Sequence, residues 1–68
     1  MKIDMKAIVE NSKAIYAIIL KKKQVPFAEL ERQTALEDTS LCLSISWLIR
    51  NQKIRQTRKE GAVYYCLA

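Results

Sequence analysis

Between Arg50 and Lys59 the chain places five cations, Arg50, Lys53, Arg55, Arg58 and Lys59, within ten residues and without one carboxylate among them. Groups of this kind at this density suit phosphate oxygens: guanidinium binds through a planar fork, ammonium as a compact point charge. If all five engaged a duplex, counterion release would make the binding steeply salt-dependent, with a log-log slope of about −4 to −5. The plain alternative is a solvated strand edge, where charge also discourages edge-to-edge pairing.

No set of residues suggests covalent chemistry. There is no histidine, and the two cysteines, Cys42 and Cys66, lie far apart with no base beside either to activate it. A tetrahedral zinc site needs four closely spaced ligands, which this chain does not supply, and no glycine-rich phosphate loop is present. The expectation is therefore no metal, no cofactor and no enzyme, and no small-molecule substrate is evident. The thiols read as buried and free, as suits a reducing cytoplasm. The longest apolar run, 14–20, is too short to span a bilayer, and Asp4, Lys6 and Glu10 interrupt any signal-like core.

Sixty-eight residues make one small domain that buries about 60% of its unfolded surface. Half of the residues are hydrophobic, which favours a packed globule over disorder. One glycine and one proline leave few places to turn, so a few helices with short connections are expected rather than a many-stranded sheet. The net charge of +5 points to a polyanion or an acidic partner, and it is segregated: +4 over 1–23, −3 over 24–38, +5 over 39–59 and −1 over 60–68.

Three helices follow from the apolar spacing. The first, about 4–22, is capped by Asp4 and lines one side with Met5, Ile8, Ser12, Ile15 and Ile19, with Val9, Tyr16 and Leu20 beside them. Lys21, Lys22 and Lys23 sit where the helix dipole is negative, or else contact phosphate. Val25 is extended before Pro26, which opens a short second helix, about 27–34. Ala35 and Leu36 make a tight connection with Leu36 as a plug. The third helix, about 38–51, turns Leu41, Ile45, Leu48 and Ile49 toward the core, and Thr39, Leu43, Ser46 and Arg50 away from it, with Ser40 and Trp47 on the shoulder. After Asn51 the period drops to two. Strands 54–58 and 62–67 form a hairpin within about 53–67, with Gly61 supplying a positive φ, and Val25 can pair with it.

This order of elements, with VPFAELERQTAL, then LCLSISWLIRNQKI, then AVYYCL, resembles a small stand-alone family of winged helix-turn-helix domains of unknown function in bacteria and archaea. The resemblance covers nearly the whole chain from about residue 5. It implies a mainly α fold of three helices with a two- or three-stranded wing and, by analogy with larger relatives, DNA binding. Two positions depart from the family pattern. Ala35 stands where a glycine is usual, and Glu37 where Ser, Thr or Asp usually caps the third helix.

In such a fold the third helix enters the major groove, which places Thr39, Ser40 and Ser46 near base edges. They are weak readers beside Arg, Lys, Asn or Gln, and Glu29, Glu31, Glu37 and Asp38 carry the wrong sign for phosphate. Binding of double-stranded DNA, by a homodimer, is thus expected to rest on the hairpin cations, with the protein acting in transcription. The other class is a homodimerisation or interaction module without DNA binding. Leu43, Trp47 and Tyr64 are its interface candidates, unless Leu43 and Trp47 instead close the core between helix and hairpin, and Trp47, Arg50, Tyr64 and Tyr65 come together if the hairpin folds onto the third helix.

Overall fold

A computed structural model describes residues 4–68. Its elements are α1 (Met5–Lys22), β1 (Gln24–Pro26), α2 (Phe27–Thr34), α3 (Asp38–Arg50), β2 (Ile54–Lys59) and β3 (Ala62–Leu67). The three strands form an antiparallel sheet in the order β1-β3-β2, so β3 is central and β2 has a free edge. Val25 lies opposite Tyr65, and Pro26 both ends β1 and precedes the first turn of α2. Its fixed φ suits both roles, because it needs neither a ladder donor nor a helical N–H there.

The core gathers Ile15 and Ile19 of α1, Val25 of β1, Leu30 of α2, Leu41, Ile45 and Leu48 of α3, Ile54 of β2 and Tyr65 of β3. Every element contributes at least one side chain, so no element can leave without opening the core. Leu36 packs against this cluster from the α2–α3 connection. At the start of α1, the Asp4 carboxylate accepts the Lys6 N–H at 3.0 Å, satisfying one of the amides a helix start leaves free.

Several side chains differ from their expected environment. On α3 the buried stripe is Leu41, Ser44, Ile45 and Leu48, while Ile49 is exposed. Helix roll explains the exchange: the crossing with α1 brings Ser12 and Ser44 together, and a small side chain at 44 admits an approach that a branched one would block. On α1, Met5 and Leu20 are exposed. Met5 lies in the first turn, beyond the part of the helix that the core covers. The cysteines are free but not buried. Cys42 is exposed on α3, and Cys66 lies half-buried on the sheet face away from the helices.

The connections carry left-handed backbone at residues other than glycine. Ala35 has φ 56 and ψ 24 at the end of α2, where its N–H donates to the Glu31 carbonyl at 3.0 Å. Glu37 stands at the N-cap of α3 with no side-chain hydrogen bond to the helix. Glu60 and Gly61 both have positive φ, 51° and 82°, which makes the two-residue loop a turn of the I′ kind.

Candidate nucleic-acid interface

The side of α3 that is left uncovered is Thr39, Cys42, Ser46, Ile49 and Arg50, together with Asp38 at its start. Of the three expected base-edge hydroxyls, Thr39 and Ser46 are on this exposed side; Ser40 is half-buried and its carbonyl accepts the Ser44 hydroxyl at 2.9 Å. Cys42 and Ile49 belong to the exposed face and were not expected there. Their type carries no signal of exposure, and only the roll of α3 exposes them. Arg50 is the single cation on the helix face.

The remaining hairpin cations are divided by the pleat. Register pairs Arg55 with Cys66, Arg58 with Val63 and Lys59 with Ala62. Val63 packs against the core cluster, so Arg58 shares the helix-side face with it, while Arg55 and Lys59 project from the opposite face. All three nevertheless flank the free edge of β2 and are exposed. Lys53 lies in the turn before β2, where its N–H donates to the Leu48 carbonyl at 2.9 Å. Among the described residues the ion pairs are Lys13 with Glu10 and Arg32 with Glu29, so none of Arg50, Lys53, Arg55, Arg58 and Lys59 has a carboxylate partner.

The acidic block is spent differently. The Glu29 carboxylate accepts hydrogen bonds from Arg32 and Gln33, which lower its pKa to about 2. Glu31 is shifted the other way, because a hydrogen bond with Asp38 and the like charge of that carboxylate favour its protonated form. Burial raises the Tyr65 hydroxyl, with a smaller contribution from Cys42 across the α3–β3 boundary.

The expected interface residues do not form one patch. Trp47 packs half-buried against the core, and Leu43 is half-buried beside Met5 and Ile8 of α1. Two shallow grooves flank Trp47 along the seam of α1 and α3. One, of about 200 Å³, is bounded by Met5, Ile8, Leu43, Ser46, Trp47 and Arg50. The other, of about 240 Å³, lies toward Tyr16 and Lys53. Tyr64 sits on the far face of the sheet, with Tyr65 on the helix side in the core, so the expected grouping of Trp47, Arg50, Tyr64 and Tyr65 does not occur. Alternation along β3 is the reason: with Tyr65 turned to the helices, its neighbour must face away.

A helix, a short strand, two helices joined by a tight turn and a cationic hairpin make a winged helix, and residues 1–67 match the family described as winged helix-turn-helix domain (DUF2582). The chain belongs to this family. Among solved structures, this winged helix domain is similar to protein BT2368 from Bacteroides thetaiotaomicron, with a TM-score of 0.83 at 25% identity over 96% of this chain and 79% of that one. It is similar in fold to HlyU from Vibrio cholerae N16961, with a TM-score of 0.78 at 23% identity over 94% of this chain and 70% of that one. No curated protein matches the chain in sequence. Among the described residues no helix is long and apolar enough to cross a membrane.

Proposed function

We propose that this winged helix domain binds duplex DNA chiefly through its phosphates and acts in the cytoplasm as a transcription-associated regulator without enzymatic activity. The observation that carries the reading is the set of five cations with no carboxylate partner among the described residues, three of them flanking the free edge of β2. Surface cations without a carboxylate partner are available to neutralise phosphates and so release the counterions condensed on the duplex. A duplex lying along β2 would meet Arg58 from one face of the wing and Arg55 and Lys59 from the other. Arg50 and Lys53 would extend the contact toward α3. Thr39 and Ser46 are the groups assigned to the groove, with the half-buried Ser40 at its margin, and hydroxyls add little discrimination there.

The test is a binding titration of random duplex against the wild type and a double variant, Arg55→Ala with Arg58→Ala. The variant should bind every sequence more weakly by a similar factor, and its log-log salt slope should be shallower by about 2. Unchanged affinity would remove the wing from the interface.

A second reading, homodimerisation, is favoured by the apolar groove at Leu43 and Trp47 and by Met5, which borders it and is 54% exposed. Tyr64 on the far sheet face would belong to a separate contact. Sedimentation equilibrium distinguishes the two: a monomer at high concentration rejects the dimer and leaves the phosphate contacts as they stand.

A further inference from the structure

We propose that the groove between the middle of α1 and the end of α3 binds a small apolar carboxylate. Its walls are apolar: Val9 and the Tyr16 ring on α1, and Trp47 and Leu48 on α3. The Ser12 hydroxyl is already committed, since it donates to the Ile8 carbonyl at 2.7 Å and reaches the Ser44 carbonyl at 3.2 Å, which leaves the Tyr16 phenol and the lysine ammoniums as the polar groups of the lining. A sugar or other polyol would find too few partners there to replace the hydration of all its hydroxyls. Two lysines complete the lining, Lys13 and Lys53. Lys13 is paired with Glu10 at 3.6 Å, whereas Lys53 has no carboxylate partner among the described residues. Apolar walls with one uncommitted ammonium complement a molecule with an apolar body and a single negative end, and they disfavour a cation.

Size narrows the class. The groove holds about 240 Å³, less than the ~300–1,000 Å³ of sites for drug-sized ligands, so it fits one ring or a short alkyl chain carrying its acid group. A free inorganic anion would find ammonium groups but gain nothing from Trp47, Val9 or Leu48. Lys53 is also among the proposed phosphate contacts, so an occupied groove would compete for it and weaken DNA binding, and DNA would weaken the ligand by the same factor. Occupancy itself does not rest on the DNA reading.

Trp47 is the single tryptophan of the chain and lines the groove, so its emission reports occupancy directly. The experiment titrates the full chain, without DNA, with phenylacetate and hexanoate, and with phenylacetamide as the uncharged counterpart of the first. A saturable change in Trp47 emission is expected with at least one acid, and binding about tenfold weaker for the amide and for Lys53→Gln. Lys53 is exposed, so that variant should fold, and its far-ultraviolet dichroism checks this. The proposal is overturned by the absence of saturation with both acids up to about 10 mM. It is equally overturned by equal affinity for acid and amide, or by an unaltered Lys53→Gln.

Discussion

Ser12 of α1 and Ser44 of α3 meet in the core, with the Ser12 hydroxyl 3.2 Å from the Ser44 carbonyl and both side chains almost fully buried. The pair sits where the two longest helices cross, and the hydroxyls are not left unsatisfied. Ser12 also bonds the Ile8 carbonyl, and Ser44 bonds that of Ser40. Two small side chains here let the helix backbones approach closely. That approach sets the roll of α3, and the roll decides that Thr39, Cys42, Ser46, Ile49 and Arg50 are presented outward.

The roll is testable through a contrasted pair of variants. Ser44→Leu forces extra volume into a packed crossing and should destabilise the domain by about 1–3 kcal/mol in urea unfolding. Ile49→Ser should cost less, about 1 kcal/mol, because that side chain is 37% exposed and only partly covered. The reverse ranking would mean that α3 is rotated by roughly a third of a turn from the orientation described.

Ala35 holds a left-handed conformation at the end of α2 that costs an L-residue about 1–2 kcal/mol and costs glycine little. Ala35→Gly should therefore raise stability by up to about 1 kcal/mol, part of the gain being offset by the greater freedom of glycine in the unfolded chain. An upward shift in the thermal midpoint checks this, and a downward shift would show that the methyl group makes a contact worth more than the strain.

At the tip of the wing, Glu60 takes a positive φ in a turn that favours asparagine followed by glycine. Glu60→Asn should stabilise the hairpin and, by removing the only carboxylate at the tip, strengthen binding to duplex of any sequence. Thermal denaturation reads the first effect and a salt-dependent binding titration the second. If stability rises and DNA affinity does not, the tip lies away from the phosphates.

Two carboxylates of α2 give opposite pH dependence. Glu31 is raised by Asp38, so its proton contributes stability that is fully present below the ordinary carboxylate pKa and lost as pH rises through the folded-state value. Glu29, lowered to about 2 by Arg32 and Gln33, contributes stability present above the ordinary value near 4.5 and lost as pH falls toward 2. Glu31→Gln should therefore stabilise the domain at neutral pH and give no gain near pH 3, whereas Glu29→Gln should destabilise at neutral pH and lose its effect in strong acid. Both groups are half-buried at the surface and still reach solvent, so the changes will be small and reduced by salt. Denaturation midpoints at neutral pH and near pH 3 test Glu31, and a further midpoint below about pH 2 tests Glu29.

Much of the fold was legible along the chain because apolar spacing is a local property. The periodicity of α1 and α3, the Val25-Pro26 break and the alternation of β3 each report which side of one element is oily. Those signals located all three helices and the hairpin within a residue or two of their observed bounds. The cationic run from Arg50 to Lys59 was equally plain, since charge order is written directly in the sequence.

What the chain by itself determined is therefore its elements, their order and the concentration of positive charge from the end of α3 along β2. The tertiary structure alone decided which side chains share a surface. Close approach at Ser12 and Ser44 turned Ile49 and Cys42 outward, while the pleat of the hairpin separated Arg58 from Arg55 and Lys59 and sent Tyr64 away from Trp47. The physical reason is that periodicity constrains a helix only to within the width of its apolar stripe. The final rotation is chosen by which partner side chains fit, and that choice depends on residues more than thirty positions away.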